Sequence, residues 1–196
     1  MSRSMRAAAA VVLLLAVAGS AALRVLAREK EGGAKDRSMG MKLESSALAA
    51  GTTIARRFTG DGDDVSPPLA WHDAPAGTRQ FALVCQDPDA PTPTPWVHWL
   101  IYRIPADVHQ LPENLPAEPR LAKPACEQGH NSWTTGRTIG YRGPAPPRGK
   151  KHHYHFRLYA LDDALDLKPG LDKAALDKAM AGHILAEAEL VGVYSR

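Results

Sequence analysis

Apolar residues in this chain come in short runs rather than in one long helical stripe. Phe81 to Gln86 is almost entirely apolar and ends directly at Asp87. Val97 to Ile104 is a second such run, apolar on both sides except at His98 and Arg103. His152 to Leu161 alternates, with His152, Tyr154, Phe156, Leu158 and Ala160 on one face and His153, His155, Arg157 and Tyr159 on the other. Period two is the mark of a strand, and strands apolar on both sides belong in the middle of a sandwich. The same period groups His98 with Leu100, Tyr102 and Ile104, so its ring is expected to point into the fold at the end nearest Asp87. Weaker candidate strands are Met41 to Leu48, Thr52 to Ala55 and Glu187 to Tyr194, and Ser66 to Trp71 reads as an extended segment with a buried aromatic. Helical spacing is clear once, over Leu171 to Gly182, where Leu171, Ala175, Leu176, Ala179 and Met180 form a stripe and Gly182 is the stop.

The remaining stretches set the boundaries. Arg3 and Arg6 precede an unbroken apolar stretch, Ala7 to Ala18, followed by small-x-small sites at Ala16-Val17-Ala18 and Ser20-Ala21-Ala22. Residues 1–27 are therefore expected to be a signal peptide. An N-terminal membrane anchor is the rival, because apolar character resumes at Ala21; Gly19, Ser20 and Arg24 interrupt the roughly 20 residues that a span needs. Either way the body is expected to be exported, periplasmic or extracellular, for a bacterial source. Residues 28–40 read as a flexible linker and 41–196 as one domain. Asp61-Gly62-Asp63-Asp64 resembles a calcium loop only superficially, lacking the ligand spacing and the closing Glu, and reads as a solvated turn. Pro105 to Gln128 reads as a long Pro-rich connection, and Gly129 to Tyr141 as an irregular wall of a pocket or partner surface.

Composition adds mostly exclusions. The 196 residues carry a net charge of +3 with His neutral. No Lys/Arg run with interleaved aromatics appears, so nucleic acid is not an expected partner. Two cysteines make no disulfide scaffold. Cys85 reads as a small core residue, with pairing to Cys126 as the alternative in an oxidising compartment. There is no Gly-x-Ser-x-Gly elbow and no His-x-x-x-His helix, so no nucleophile beside a base is indicated, and no cofactor. A metal-assisted hydrolase built on Asp and His is the minor alternative.

What chemistry the chain does offer lies in two proline-stiffened loops. Asp87-Pro88-Asp89-Ala90-Pro91, with His98 following, is one; Gly143-Pro144-Ala145-Pro146-Pro147, leading into His152-His153-Tyr154-His155-Phe156, is the other. Proline fixes φ and resists helix and central strand, so these are loops of set shape. Each residue also has a plain structural role on offer. Asp87 and Asp89 can cap turns, and His98 can be a hydrogen-bonded core histidine. His153 and His155 read as solvated or packing residues, and Trp71, Trp96, Trp99 and Trp133 as core or rim. The two loops together suggest the rim of a preformed polar pocket.

Ser66-Pro67-Pro68-Leu69-x-Trp71, Asp87-Pro88-Asp89-Ala90-Pro91, His98-Trp99, Gly140-Tyr141-x-Gly143-Pro144-x-Pro146-Pro147 and His152-x-Tyr154-x-Phe156 occur in that order. Together they resemble the phosphatidylethanolamine-binding protein family, in its bacterial Raf-kinase-inhibitor-like branch, over Met41 to Arg196. The resemblance implies a mainly β fold, an antiparallel β-sandwich with a few peripheral helices. It also implies a small anion pocket formed by Asp87, Asp89, His98, Gly143, Pro144, His152 and Tyr154. Such a pocket would take phosphate or a phosphoethanolamine head group through Gly-loop N–H groups, imidazoles and the Tyr154 hydroxyl. The two carboxylates would hold neighbouring His cationic or share a proton with a phosphate monoester. The implied function is a non-catalytic binding protein that modulates or inhibits partner proteins, with inhibition of a protease or other hydrolase as the alternative. Homodimerisation is implied by the bacterial members. Departures from the pattern are Ala145, where many bacterial relatives have Cys, the extra imidazoles His153 and His155, and a longer Ser132 to Thr135 stretch.

Overall fold

The computed structural model describes residues 40–196, so the expectations for the export or anchor segment and nearly all of the linker lie outside the described residues. In chain order the elements are β1 (Lys42–Glu44), a 3₁₀ turn (Arg56–Phe58), β2 (Leu69–His72), β3 (Gln80–Asp87), β4 (Trp96–Pro105), β5 (Gln110–Leu111), β6 (Arg120–Ala122), β7 (Ala125–Gln128), β8 (Lys151–Leu161), α1 (Lys173–Met180) and β9 (Ile184–Ser195). Two sheets form, β1-β2-β5 and β6-β7-β4-β3-β8-β9. Every strand pairing is antiparallel. The fold is the mainly β sandwich that the sequence implies.

The doubly apolar runs take the centre of the larger sheet because both of their faces are covered. Phe81, Leu83 and Cys85 of β3, with Phe156 and Leu158 of β8, pack against Leu43, Leu69, Trp71 and Leu111 of the small sheet. Trp71 meets Phe81 edge-on at 5.4 Å. On the far face, Ala82, Val84, Leu100, Tyr102 and Leu161 are sealed by Leu176 and Met180 of α1. Burying side chains of this size is worth about 1.5–3 kcal/mol each, so both layers stabilise the central strands. Asp172 caps α1, its Oδ1 accepting from the N–H of Ala175 at 2.8 Å. The helix is shorter than the stripe predicts, and Ala175 of that stripe is exposed.

Period two fails within β4. Its register against β3 slips between Phe81 and Leu83 and again between Cys85 and Gln86, where His98 is the extra residue. Arg103, near the other slip, has φ +56°. A bulge keeps two successive residues on one side. So Leu100 and Tyr102 face α1, while Trp99, Ile101 and Ile104 face the small sheet. His98 packs on Tyr154, a member of that inter-sheet core. The inward direction expected for His98 is therefore found, but on the opposite face from Leu100 and Tyr102.

Other expectations change as well. Of Met41 to Leu48, only Lys42–Glu44 is strand, with a bridge from Ser45 to Leu48. Thr52 to Ala55 is not a strand of its own but runs along the edge of β9 through a parallel bridge from Thr53 to Val193. Pro105 to Gln128 is not a plain connection; it holds β5, β6 and β7. Cys85 and Cys126 are both buried and free. β4 lies between their strands, so two inter-strand spacings alone keep them at least about 9–10 Å apart, and the registers offset them further along β4, beyond disulfide reach. Nor is the Asp61 to Asp64 turn simply solvated. Asp61 accepts from the Tyr194 hydroxyl at 3.0 Å and from Arg196, and Asp64 pairs with Arg137 and accepts the Gly143 N–H at 2.6 Å.

Candidate binding cavity

β3 and β8 lie side by side, and their inward rows end at the same rim. Phe81, Leu83 and Cys85 lead to Asp87, while Leu158, Phe156 and Tyr154 lead to His152. At that rim His152 Nδ1 meets Asp87 Oδ2 at 2.7 Å, and both residues are under 5% exposed. The other carboxylate oxygen, Oδ1, accepts the backbone N–H of Asp89 at 2.8 Å. This is the acidic turn closing on itself, as Asp before Pro is apt to do. A carboxylate can only accept, so His152 carries its proton on Nδ1.

His98 comes from the neighbouring strand. Its Nδ1 lies 2.6 Å from the carbonyl oxygen of Arg142 and must donate there, which leaves Nε2 as an acceptor. Burial pulls its pKa down to about 4, against the opposing effects of that hydrogen bond and of the Asp87 charge. The ring is therefore neutral at physiological pH. Edge-on contacts to Tyr154 at 5.1 Å and to Trp133 at 5.1 Å hold it in place. Burial, with the Asp87 charge adding to it, pushes the Tyr154 phenol far above its usual range, so its hydroxyl stays protonated.

The Gly129 to Tyr141 stretch does form a wall. Asn131 Nδ2 donates to the carbonyls of Arg137 and Gly140, and its Oδ1 accepts from the N–H of Trp133 at 3.1 Å. Ser132 and Val97 exchange two hydrogen bonds, and the Arg142 N–H reaches His98 O at 3.0 Å. Trp133 is thereby set against Trp96, with ring centres 5.3 Å apart, and the Arg142 guanidinium stacks over it at 4.7 Å.

These groups enclose a cavity of about 280 Å³. Asp87, His98, His152 and Tyr154 form its polar part; Ala90, Pro91, Trp96, Trp133, Pro146 and Pro147 supply most of the apolar walls. Three residues implied by the resemblance are not in the lining. Asp89 is half-exposed and faces His153, accepting from its N–H at 2.8 Å and its Nδ1 at 2.7 Å, and that hydrogen bonding holds its carboxyl below the usual range. Gly143 donates its N–H to Asp64 instead of to a ligand. Pro144 gives its carbonyl to the N–H of Gly60 at 2.8 Å. Pro144, Pro146 and Pro147 have no N–H, so between 143 and 147 only Ala145 has a donor to offer. The Gly-containing turn is thus a fixed wall rather than an anion nest. Among the described residues, no group of three or more His, Cys, Asp or Glu converges as a metal site.

The phosphatidylethanolamine-binding protein family matches residues 44–195. The chain belongs to that family. A UPF0098 protein of Methanothermobacter thermautotrophicus is 47% identical over 156 residues, covering 80% of this chain and 99% of its own. YbhB of Escherichia coli is 38% identical over 161 residues, covering 79% of this chain and all of its own. Among solved structures, YbcL of Escherichia coli superposes with a TM-score of 0.72 at 30% identity, covering 80% of this chain and 99% of its own. A phosphatidylethanolamine-binding protein homolog of Chlamydia trachomatis gives 0.71 at 37% identity, covering 81% and 99%. The sequence reads Trp96 and Trp133 as core or rim and the Gly129 to Tyr141 stretch as a wall, but gives no sign that these two rings meet at the cavity of this family member. Trp96 opens a strand and Trp133 sits in a loop without period, so only the placement of that loop brings them together.

Proposed function

We propose that this phosphatidylethanolamine-binding protein family member holds a small phosphorylated head group, with phosphoethanolamine as the type, in the cavity between Asp87 and Trp133, and acts by binding it. The reading rests above all on the buried Asp87–His152 pair at 2.7 Å, with neutral His98 beside it. Such a set is acceptor-rich at neutral pH. A naked phosphate dianion would meet the Asp87 charge, whereas a monoanion brings a P–OH that can donate to His98 Nε2 and accepts from the Tyr154 hydroxyl. An ammonium on the same ligand would be drawn to Asp87 and the aromatic walls. No serine, cysteine or lysine is among the described residues lining the cavity, which favours holding over turnover. Residues 1–27 add an export or anchoring segment to this proposal.

Titration calorimetry with O-phosphoethanolamine tests it. Asp87→Asn and His152→Ala are each expected to weaken binding about tenfold or more, the scale of one charge-assisted hydrogen bond. Equal affinity in all three proteins would contradict the reading.

A further inference from the structure

Behind the Pro146–Pro147 wall lies a second concavity of about 470 Å³, lined by Arg56, Asp61, Arg148, Tyr194 and Arg196. It shares no residue with the first cavity, yet it backs directly onto it. Arg148 follows Pro147 in the chain, and Tyr194 is the cross-strand partner of His152. Its one side-chain carboxylate is already committed. Asp61 accepts from the Tyr194 hydroxyl and is gripped by Arg196 at 2.7–2.9 Å, which holds its carboxyl below the usual range. Among the described residues, Arg56 and Arg148 have no ion-pair partner, and both are exposed. Even with a terminal carboxylate on Arg196 counted, guanidiniums outnumber carboxylates three to two in this cleft. The floor is rigid. The turn that carries Asp61 is tied through Asp64 to Arg137 and Gly143, and through Gly60 to Pro144.

We propose that this cleft is a second anion site, one that takes a phosphate group as its dianion. Guanidinium forks match phosphate oxygens two at a time, and two of the three here have no competing partner. The two hollows then divide the work by charge. The Asp87 cavity disfavours a dianion, and the Arg56–Arg148–Arg196 cleft favours one.

Inorganic pyrophosphate is the probe, at about pH 8, where at least one of its two phosphate groups is doubly charged, and at low salt. Binding is followed by calorimetry on the wild type, on the double variant Arg56→Ala/Arg148→Ala, on Arg148→Lys and on Asp87→Asn. Expected is wild-type binding that drops at least about tenfold in the double variant, less in Arg148→Lys, and not at all in Asp87→Asn. Both arginines are exposed, so folding is not at stake, and melting temperature serves as the control. Three results would each overturn the proposal: no binding to the wild type at millimolar pyrophosphate, undiminished binding by the double variant, or a loss confined to Asp87→Asn.

Discussion

His98 shows how much one side chain can decide. Its Nδ1 is spent on Arg142 O, its ring is packed between Tyr154 and Trp133, and burial holds its pKa at about 4. The folded pKa lies below that of a free histidine, so the unfolded chain binds the proton first. The contribution of His98 to stability is full above about pH 6.5 and is lost as pH falls towards 4, at about 1.4 kcal/mol per pH unit. Asp89, held below its usual range by His153, adds a loss only as pH falls below the carboxylate range. Urea unfolding of wild type and His98→Phe between about pH 7 and 4 checks this, and the wild type is expected to lose stability more steeply. At Gly143 the decisive feature is absence of a side chain. A Cβ there would stand 2.4 Å from Phe58 O and 2.8 Å from the Cα of Thr59, both backbone. Gly143→Ala is expected to cost about 1–3 kcal/mol and to loosen the wall formed by Pro146 and Pro147, read as a lower urea midpoint. The sequence marks Gly143 and Asp89 as ligand contacts because they share motifs with residues that line the cavity. Their actual partners, Asp64 and His153, sit far along the chain or across a strand, and no spacing rule points to them.

Elements divide mostly by length into those the sequence reveals and those it hides, with β9 the exception: it runs 12 residues, Ile184–Ser195, where only Glu187 to Tyr194 is expected. β3, β4 and β8 run 8 to 11 residues, long enough for alternation to be read, and their expected bounds hold to within about one residue. β5, β6 and β7 run only 2 to 4 residues and carry no readable period. What fixes that region is tertiary. Buried Gln128 accepts from Trp99 Nε1 at 2.7 Å and donates to the carbonyls of Pro116 and Glu118, also at 2.7 Å. Gln128→Leu removes all three bonds and leaves Trp99 Nε1 buried without a partner. A loss of about 2–4 kcal/mol is expected, with amides of residues 115–122 exchanging fastest relative to wild type. Unchanged exchange there would show that the loop is held by packing alone. The bulge at His98 belongs to the same lesson, since alternation predicts a direction and one inserted residue reverses it.

For the molecule as a whole, the coarse picture was legible because two distant proline-rich loops flank the three most strongly patterned strands, and neighbouring strands must end near one another. Adjacency of β3 and β8 then brings Asp87 to His152. The pairing of Trp96 with Trp133 and the basic cleft behind the cavity were not legible, since both depend on how irregular loops fold back on the sheet. On the two proposals made above, the acidic, histidine-lined cavity and the arginine-lined cleft prefer different charge states of phosphate. The most direct test of the account is the affinity of O-phosphoethanolamine as a function of pH, followed on the indole N–H signals of Trp96 and Trp133 so that only the cavity is read. The second phosphate pKa is about 6, and His98 stays neutral throughout. Affinity is predicted to fall on the order of tenfold or more between about pH 5.5 and pH 8 as the monoanion disappears; an affinity that is flat or rises over that range would contradict it.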